Sequence, residues 1–404
     1  MEKVRSRAPR FMGSILGMHR IGFAAAVCAA FPVVANAQSS ITLYGAVDDA
    51  LAYISNQHGH SNIFLKSGSL ESSKFGFKGV EDLGGGTQAL FRLESGFNLN
   101  TGAMSDKDTI FGRLAWVGVT NPQYGTFTFG RQYTPYLLYV GALGPAPALT
   151  GATGAHPGDI DQLDVDSRAS NAITYTTPSF HGLQVSTLYA LGGVAGQFPS
   201  GNTFSTAARY TAGKVDVAVG YLRVTNNNVA GTFSPTATGT FDQSPINAGY
   251  VSTHAVQYIA AAGKYAFGPV KIGLNYSNTQ YKPGSGSLFT DTAIFNNYGI
   301  TAEANPTPFT GLAAGYSYTR ATSANGISDP ARFHQFSFEQ TYFVSKRSTV
   351  YLLEAYQMAR GKTLGSKGAG NIVDSVATVG RIGESMPSSG GSQFVAMVGF
   401  RHAF

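Results

Sequence analysis

Alternation of apolar with small or polar residues dominates the chain from about residue 40 onward. The segment 271–277 places Ile272, Leu274 and Tyr276 on one face, and the segment 215–221 repeats the pattern. A period of two residues is typical of β-strands, here with one apolar face and one wet face. The pattern therefore predicts an all-β protein in which each strand separates two environments.

The connections between these segments are alternately short and long. The short ones are rich in turn residues and lie at 82–86, 121–124, 178–182, 212–213, 267–269, 305–308 and 345–347. The long ones are polar and lie near 54–67, 100–108, 132–167, 193–202, 226–252, 282–295, 322–331 and 361–391. Seven short and eight long connections predict about sixteen strands. Such an alternation is typical of a transmembrane antiparallel β-barrel, because strands span lipid only in a closed ring. The strand pattern also continues to Phe404, as expected if the last strand pairs with the first.

The third long connection, residues 132–167, differs from the others. It lies between the strand patterns of 125–131 and 172–175 and shows no clear helical or strand period. Connections of this length are uncommon in compact domains and are usually functional or disordered. We expect this loop to fold into the barrel and to set the width of its pore.

The first 37 residues have the pattern of a signal peptide. An apolar stretch without charge spans 21–31, and Ala35-Asn36-Ala37 forms a cleavage site. The basic residues that precede the cleavage site are Lys3, Arg5, Arg7, Arg10 and Arg20. We expect cleavage after Ala37, which leaves residues 38–404 as the barrel domain. The basic region is long, so a start at Met18 is an alternative to Met1.

Composition agrees with a membrane barrel. Only 12% of residues are charged, against roughly 25% in soluble domains, and the chain has 50 Gly, 27 Phe and 21 Tyr. Its mean hydropathy is nevertheless near zero, at -0.02. Five of the 28 basic residues and one of the 22 acidic residues leave with the signal peptide, so the net charge falls from +6 to +2. That small, dispersed charge excludes a basic surface for nucleic acid. Cys28 leaves as well, so no disulfide is expected.

An ordered set of segments resembles the trimeric general porins of Gram-negative bacteria, most closely those of beta-proteobacteria. The segments are 40–48, 75–86, 91–97, 125–133 and 400–404. The resemblance implies a sixteen-stranded outer-membrane barrel, three barrels to a trimer, and a third loop that forms a constriction. It also implies a basic cluster on the barrel wall that faces acids on this loop.

Three residues fall at the basic wall positions of that family: Lys74, Arg113 and Arg168. The alternation agrees, because Phe75 lies opposite in parity to Lys74 and Leu114 to Arg113. We expect these three side chains to line the constriction, with a solvated position elsewhere in the lumen as the alternative.

The acids of the third loop come late in it. Residues 132–158 contain none, and the carboxylates that follow are Asp159, Asp161, Asp164 and Asp166. We expect these four to contribute to the pore loop, either at the constriction or on a solvated part of the loop. Because the early part lacks acids, the field across the constriction should be weak, and we expect weak ion selectivity.

Three further charges have expected positions. Asp48 and Glu94 face inward by parity and should line the lumen, whereas Arg131 faces outward at a strand end and is a candidate for a trimer contact.

The pair His58 and His60 lies in a polar loop without a third ligand, so no metal site is expected.

The function that follows is a passive, water-filled channel for small hydrophilic solutes and ions in the outer membrane. A ring of sixteen strands is wide enough for an aqueous lumen, and no cofactor is needed. Two alternatives remain. One is a substrate-selective porin with a weak anion or sugar site, suggested by Tyr133, Tyr136 and Tyr139 in the third loop. The other is an outer-membrane barrel enzyme, for which the chain offers no catalytic motif.

Overall fold

Strands account for most of the computed structural model. It describes residues 39–164, 167–227, 233, 237–239, 241, 244–381 and 386–404. The expected signal peptide (1–37) and Asp166 lie outside the described residues.

The described residues form twenty strands, in chain order β1 Ser40–Gln57, β2 His60–Ser67, β3 Lys74–Gly84, β4 Thr87–Gly96, β5 Leu114–Asn121, β6 Gly125–Tyr133, β7 Arg168–Thr176, β8 Leu183–Ala190, β9 Thr203–Ala212, β10 Val215–Thr225, β11 Ala237–Thr238, β12 Ala255–Phe267, β13 Val270–Lys282, β14 Ala293–Thr307, β15 Thr310–Ala321, β16 Arg332–Phe343, β17 Ser348–Arg360, β18 Lys362–Leu364, β19 Ile372–Asp374 and β20 Ser392–Ala403. Strands β2 and β3 run successively along β1, so they form one interrupted barrel strand. Strands β11, β18 and β19 are short additions in loops. The barrel therefore has sixteen antiparallel strands, which confirms the expected number.

The last strand closes the ring against the first. Ala46 of β1 lies opposite Ala403 of β20, and Ile54 lies opposite Val395. The backbones of Gly45 and Phe404 exchange two hydrogen bonds of 3.1 and 3.0 Å. This pairing leaves no open edge between the two ends of the sheet, as the strand pattern at the C-terminus predicts.

The two faces of the sheet differ as the alternation predicts. The outer face is apolar and exposed, as at Ile41, which is 72% exposed, and at Leu274, which is 61% exposed. Inner positions carry small residues such as Ala218 of β10 and Ser277 of β13, and these are buried. No helix among the described residues is long and apolar enough to cross a membrane.

Short and long connections lie at opposite ends of the barrel, as predicted. We call these ends the turn rim and the loop rim. The first long connection differs from its predicted bounds of 54–67. Residues up to Gln57 remain in β1, and a tight turn at His58 and Gly59, with φ of 51° and 98°, leads directly into β2. Two successive positive φ values suit a two-residue hairpin turn.

The irregular part of this connection follows the eight residues of β2, at 68–73. Asp49 pairs with Ser67 and Ala46 pairs with Lys74, so the residues between Ser67 and Lys74 leave the ladder. We call residues 68–73 the excursion. It bulges from the barrel wall, and its position becomes important at the constriction.

The third long connection folds into the barrel and contains short helices. We call residues 134–167 the pore loop. Its helices are α1 Pro135–Tyr139 and α2 Ala146–Thr153, with 3₁₀ turns at Gly141–Leu143 and Pro157–Asp159; a further 3₁₀ turn lies at Ala248–Tyr250. The Thr134 side chain accepts a hydrogen bond from the backbone N–H of Leu137 and thereby caps α1. Such short helices show too few turns for a clear sequence period.

Candidate functional site

The pore loop is attached to the inner wall on the side of β9 and β13. The backbone N–H of Tyr136 donates to Ser205 Oγ at 3.0 Å, and Thr279 Oγ1 donates to the carbonyl of Ile160 at 3.2 Å. Both wall residues occupy inward positions of their strands and are fully buried. Buried polar groups are almost always hydrogen-bonded, and here the loop backbone provides the partners.

A third attachment comes from β16. Gln335 Nε2 donates to the carbonyls of Thr153 and Ala155, each at 2.9 Å, and Ser337 Oγ also donates to the Thr153 carbonyl. Both wall residues lie within the β16 pattern in which Phe336 faces outward. The pore loop therefore spans the lumen and is bonded to separate parts of the wall.

Asp161 is the central charge of these attachments. His156 Nδ1 lies 2.6 Å from Asp161 Oδ2, and Ser277 Oγ of β13 donates to the same oxygen at 2.5 Å. All three side chains are buried. Burial alone raises the pKa of Asp161, but the charge and hydrogen bond of His156 outweigh it and lower the pKa below 3.8. The carboxylate is thus held in its charged form where the loop meets the wall.

Asp159 lies in the same buried region and behaves oppositely. Burial, followed by the nearby carboxylates of Asp164 and Asp161, raises its pKa well above 3.8. One oxygen of Asp159 accepts the backbone N–H of Asp164 at 3.1 Å. Ionisation of Asp159 therefore opposes the folded conformation of the pore loop.

Substitution Asp159→Asn should stabilise the docked pore loop at pH 7. Because its pKa is raised, Asp159 binds a proton more tightly in the docked loop than in the open loop. The stability of the docked loop therefore falls as the pH rises above about 3.8. Asn removes the charge and keeps an oxygen for the Asp164 N–H. We expect slower proteinase K cleavage of the loop at pH 7. Between pH 5 and 7 the cleavage rate of the variant should change less with pH than that of the original protein. Asp161 does not add to this pH dependence, because its pKa is lowered and it takes up a proton only in stronger acid. Faster cleavage of the variant at pH 7 would contradict this assignment.

The late aspartates are more enclosed than either sequence interpretation allowed. Asp159, Asp161 and Asp164 are at most 2% exposed, so they form neither a solvated loop nor an open acidic face of the lumen. The reason is that the second half of the loop turns toward the wall, where Ser277 and His156 bind Asp161. Asp164 alone borders the open space described next.

A cavity of about 430 Å³ remains between the pore loop and the opposite wall. The loop side is apolar, and Leu138 there is 49% exposed. The residues that line the loop side include Leu137, Leu138, Ala142, Ala146 and Pro147. The charged residues around the cavity are Lys74, Arg113, Arg381, Glu71, Asp164 and Glu339. We call this cavity the candidate constriction.

Arg113 borders the cavity and is held from behind by Glu94. Its Nε donates to Glu94 Oε1 at 2.7 Å, and an amino group donates to Tyr133 Oη at 2.9 Å. The second carboxylate oxygen of Glu94 accepts from Tyr44 at 2.8 Å and from Arg92 at 2.9 Å. Glu94 is inward by parity but only 1% exposed, because these groups surround it. Glu94 thus lies on the inward face, beneath Arg113, and its role as a lumen-lining residue remains a prediction.

Lys74 borders the cavity beside Glu71 of the excursion. Its Nζ lies 2.7 Å from Glu71 Oε1, and Arg401 Nε donates to Glu71 Oε2 at 2.6 Å. Burial raises the pKa of Glu71, but Lys74, and then Arg401, outweigh it and the pKa is lowered. Two cations thus share one acid on this wall.

Asp48 fixes the excursion that carries Glu71. Its Oδ2 accepts the backbone N–H groups of Leu70 at 2.9 Å and Glu71 at 2.6 Å, and its Oδ1 accepts the Tyr351 hydroxyl at 2.5 Å. Asp48 is fully buried. The excursion covers its side chain, and the role of Asp48 as a lumen-lining residue remains a prediction.

Arg168 is close to the constriction without bordering the open space. It is 3% exposed, its amino group donates to Tyr133 Oη at 3.4 Å, and its guanidinium carbon lies 5.0 Å from the Tyr133 ring centre. Tyr133 borders the cavity. Of the three predicted wall cations, the structure thus brings Lys74 and Arg113 to the cavity and places Arg168 behind Tyr133.

Arg131 bonds to three segments of its own chain. It donates to the Gly112 carbonyl at 2.5 Å, to Ser170 Oγ at 3.0 Å and to Thr238 Oγ1 at 3.1 Å. These bonds join the loop after β4 with β7 and β11. A trimer contact of Arg131 remains a prediction.

Sequence reasoning missed Glu71, Glu339 and Arg381. Glu339 follows Gln335 and Ser337 on the inward parity of β16, so the alternation with Phe336 could have found it. Arg381 gave no such signal, because it lies in the last long loop. That loop also enters the barrel: Gly158 N–H donates to the Gly380 carbonyl at 3.0 Å, and Arg381 Nε lies 3.6 Å from Asp164 Oδ2.

Comparisons with known proteins match this architecture. A sequence profile described as Gram-negative porin matches residues 24–363. An outer membrane porin protein of Bordetella pertussis is 27% identical over 376 residues, covering 84% of this chain and 94% of the relative. Outer membrane porin protein 32 of Delftia acidovorans is 27% identical over 383 residues, covering 92% and 95%.

Two solved structures share the fold. An anion-selective porin from Comamonas acidovorans has a TM-score of 0.68 at 23% identity, covering 91% of this chain and all of that chain. An outer membrane protein of Vibrio cholerae, solved in its trimer form, has a TM-score of 0.62 at 17% identity, covering 91% and 99%.

Proposed function

The chain belongs to the Gram-negative porin family, and from that premise we propose how its outer-membrane channel selects solutes. The pore loop leaves a narrow path beside the β3 and β5 wall, and small hydrophilic solutes and ions diffuse through it passively. Size at this path is the main criterion, with little preference for the sign of an ion. No cofactor takes part, and no bond in the solute is made or broken.

The observation that carries this proposal is the cavity of about 430 Å³ that remains beside the pore loop. The loop backbone is bonded to Ser205, Thr279 and Gln335, so its position is fixed rather than adjustable. A fixed loop that crosses the lumen limits size without a binding step. Solutes wider than the path beside the loop are excluded.

The charges around the cavity support weak selectivity. Three cations, Lys74, Arg113 and Arg381, stand against three carboxylates. The carboxylates are Glu71, Asp164 and Glu339. Two opposite charges about 4 Å apart attract by about 1 kcal/mol in water and about 4 kcal/mol at an effective dielectric of 20. Because neighbours of opposite sign cancel much of each other's field, a passing ion meets only a small net potential.

We also propose a homotrimer surrounded by outer-membrane lipid. Asp49 and Glu354 lie on the outward parity of β1 and β17, the two strands that pair with β20. A charge that faces lipid near the middle of a membrane costs about 2–4 kcal/mol, and less for an acid. A subunit contact would explain both carboxylates, and one solved structure of this fold is described as a trimer.

Conductance in a planar bilayer tests the channel. Purified, folded protein should insert in discrete conductance steps, and a potassium chloride gradient should give a reversal potential close to zero. Protein that is folded and trimeric but electrically silent would overturn the channel. A reversal potential strongly favouring one ion sign would overturn weak selectivity alone.

The second candidate is a porin with a weak anion site. Leu138 and Pro147 form an apolar floor opposite Lys74 and Arg113, and a solved structure of this fold is named an anion-selective porin. Such a site would hold a small organic anion by charge on one side and by apolar contact on the other. Block of single-channel current by a carboxylate at low concentration would favour this candidate.

A further inference from the structure

Glu71 binds two cations of the barrel wall next to the cavity. Its Oε1 lies 2.7 Å from Lys74 Nζ, and its Oε2 accepts from Arg401 Nε at 2.6 Å and from an amino group of the same arginine. One carboxylate thus uses both of its oxygens to join a cation of β3 to a cation of β20. Hydrogen bonds between charged groups are the stronger class, so this carboxylate holds both side chains in place.

Arg401 depends on Glu71 because the acid across the strand is engaged elsewhere. Phe400 faces outward and is 49% exposed, so its neighbour Arg401 has inward parity. Arg401 lies opposite Asp48 of β1. The carboxylate of Asp48, however, accepts two backbone N–H groups of the excursion and the Tyr351 hydroxyl. Glu71 therefore provides the carboxylate that binds Arg401.

The excursion positions Glu71 through backbone groups. The N–H of Glu71 donates to Asp48 Oδ2 at 2.6 Å, and the N–H of Asp48 donates to Ser73 Oγ at 3.1 Å. At the other end of the excursion, Gly68 has a φ of 80° and its N–H donates to the Asp48 carbonyl at 2.9 Å. These bonds use the backbone of residue 71 and not its side chain. The excursion should therefore keep its shape when the carboxylate is removed.

The two cations can also be reached from the cavity. Glu71 and Lys74 both line it, and the side chains of Glu71, Lys74 and Arg401 are 30%, 19% and 22% exposed. A solute anion in the cavity therefore competes with Glu71 for the same two donors. A group attached by a short linker has an effective concentration of about millimolar or more, so the attached carboxylate has the advantage over a dilute solute.

We propose that Lys74 and Arg401 form a binding site for small carboxylates, and that the carboxylate of Glu71 occupies this site as an internal ligand. Glu71 thereby lowers the affinity of the wall for solute anions and determines how far the channel favours them. The inference rests on the channel proposed above. It names the residue that keeps the ion preference of that channel weak.

Single-channel recording of Glu71→Ala tests the site. The substitution removes a CH₂ group and the carboxylate, which together correspond to acetate. We expect the chloride to potassium permeability ratio to rise at least about threefold, because a carboxylate no longer offsets two cations at about 4 Å. Added acetate should then lower the chloride current of the variant saturably, and that of the original protein much less. Acetamide, which is neutral and has a similar shape, should have no effect.

Three further variants control the result. Glu81→Ala removes an exposed acid at the turn-rim end of β3 and should leave the permeability ratio unchanged. Glu71→Asp keeps the charge on a shorter side chain and should resemble the original protein. The double variant Glu71→Ala/Arg401→Gln should lose the acetate effect, since one of the two cations is absent. Circular dichroism and gel mobility check that each variant is folded.

The outcomes separate this site from the channel itself. An original protein that conducts, with an unchanged permeability ratio in Glu71→Ala, would overturn the internal ligand and leave the channel in place. A silent original protein would overturn the channel. A raised ratio without a saturable acetate effect would assign Glu71 to the general field of the lumen and overturn the proposed site. An acetate effect that persists in Glu71→Ala/Arg401→Gln would overturn it as well.

Discussion

Substitution Asp161→Ala is expected to release the pore loop from the barrel wall. It removes the group that His156 and Ser277 share at 2.6 and 2.5 Å, and it leaves both without that partner in a buried region. Breaking a buried charged pair in this way costs about 3–5 kcal/mol. The remaining bonds at Ser205, Thr279 and Gln335 each hold only a part of the loop. Single-channel recordings should show a larger mean conductance and frequent fluctuations, because the loop then samples positions outside the constriction.

Proteolysis gives a second measure of the same change. The loop of the Asp161→Ala protein should be cleaved by proteinase K from the loop rim while the barrel stays intact. Asp374→Ala is the matched control: its carboxylate pairs with Lys362 at 2.7 Å on the exposed surface of the last long loop, so its loss should leave conductance unchanged. Quiet channels of original size in Asp161→Ala would show that Asp161 does not hold the loop.

The barrel itself was predictable because its physics is local and repeated. A strand that separates lipid from a wet lumen must alternate at every second residue, as 271–277 does, and each such strand carries the same signal. Ring closure at Phe404 follows because an unpaired edge in lipid is costly. These constraints act on each segment separately, so sequence alone reveals them without knowledge of distant contacts.

The interior was less predictable because its contacts join distant parts of the chain. The alternation predicts that Asp48 faces inward. Its burial, however, depends on the excursion at 68–73, which leaves the ladder and covers the side chain. The burial of Asp161 likewise depends on Ser277, 116 residues away. Loop composition gave the number of acids in the pore loop but not the direction in which the backbone turns them.

Reversing the charge of Lys74 should make the channel prefer cations. Lys74→Glu removes a cation that borders the cavity and adds an acid beside Glu71 and near Glu94, so the local charge changes by two units. A charge at about 4 Å acts on a passing ion by about 1 kcal/mol in water and by more in a narrow pore. Because 1.4 kcal/mol corresponds to a factor of ten, we expect the potassium to chloride permeability ratio to rise at least about fivefold. Reversal potentials in a potassium chloride gradient measure this ratio.

Two further variants test whether that result is specific to the constriction. Lys74→Gln should give an intermediate ratio, because it changes the charge by one unit and leaves Glu71 paired with Arg401 at 2.6 Å. Lys346→Glu makes the same charge reversal at the exposed turn rim, away from the cavity. Salt screens exposed charges over roughly 10 Å, so this variant should leave the permeability ratio unchanged. If Lys74→Glu and Lys346→Glu shift the reversal potential equally, the overall field of the barrel controls ion preference and the cavity beside the pore loop does not. A shift confined to position 74 places ion selection at the wall that the excursion and Asp48 hold in position.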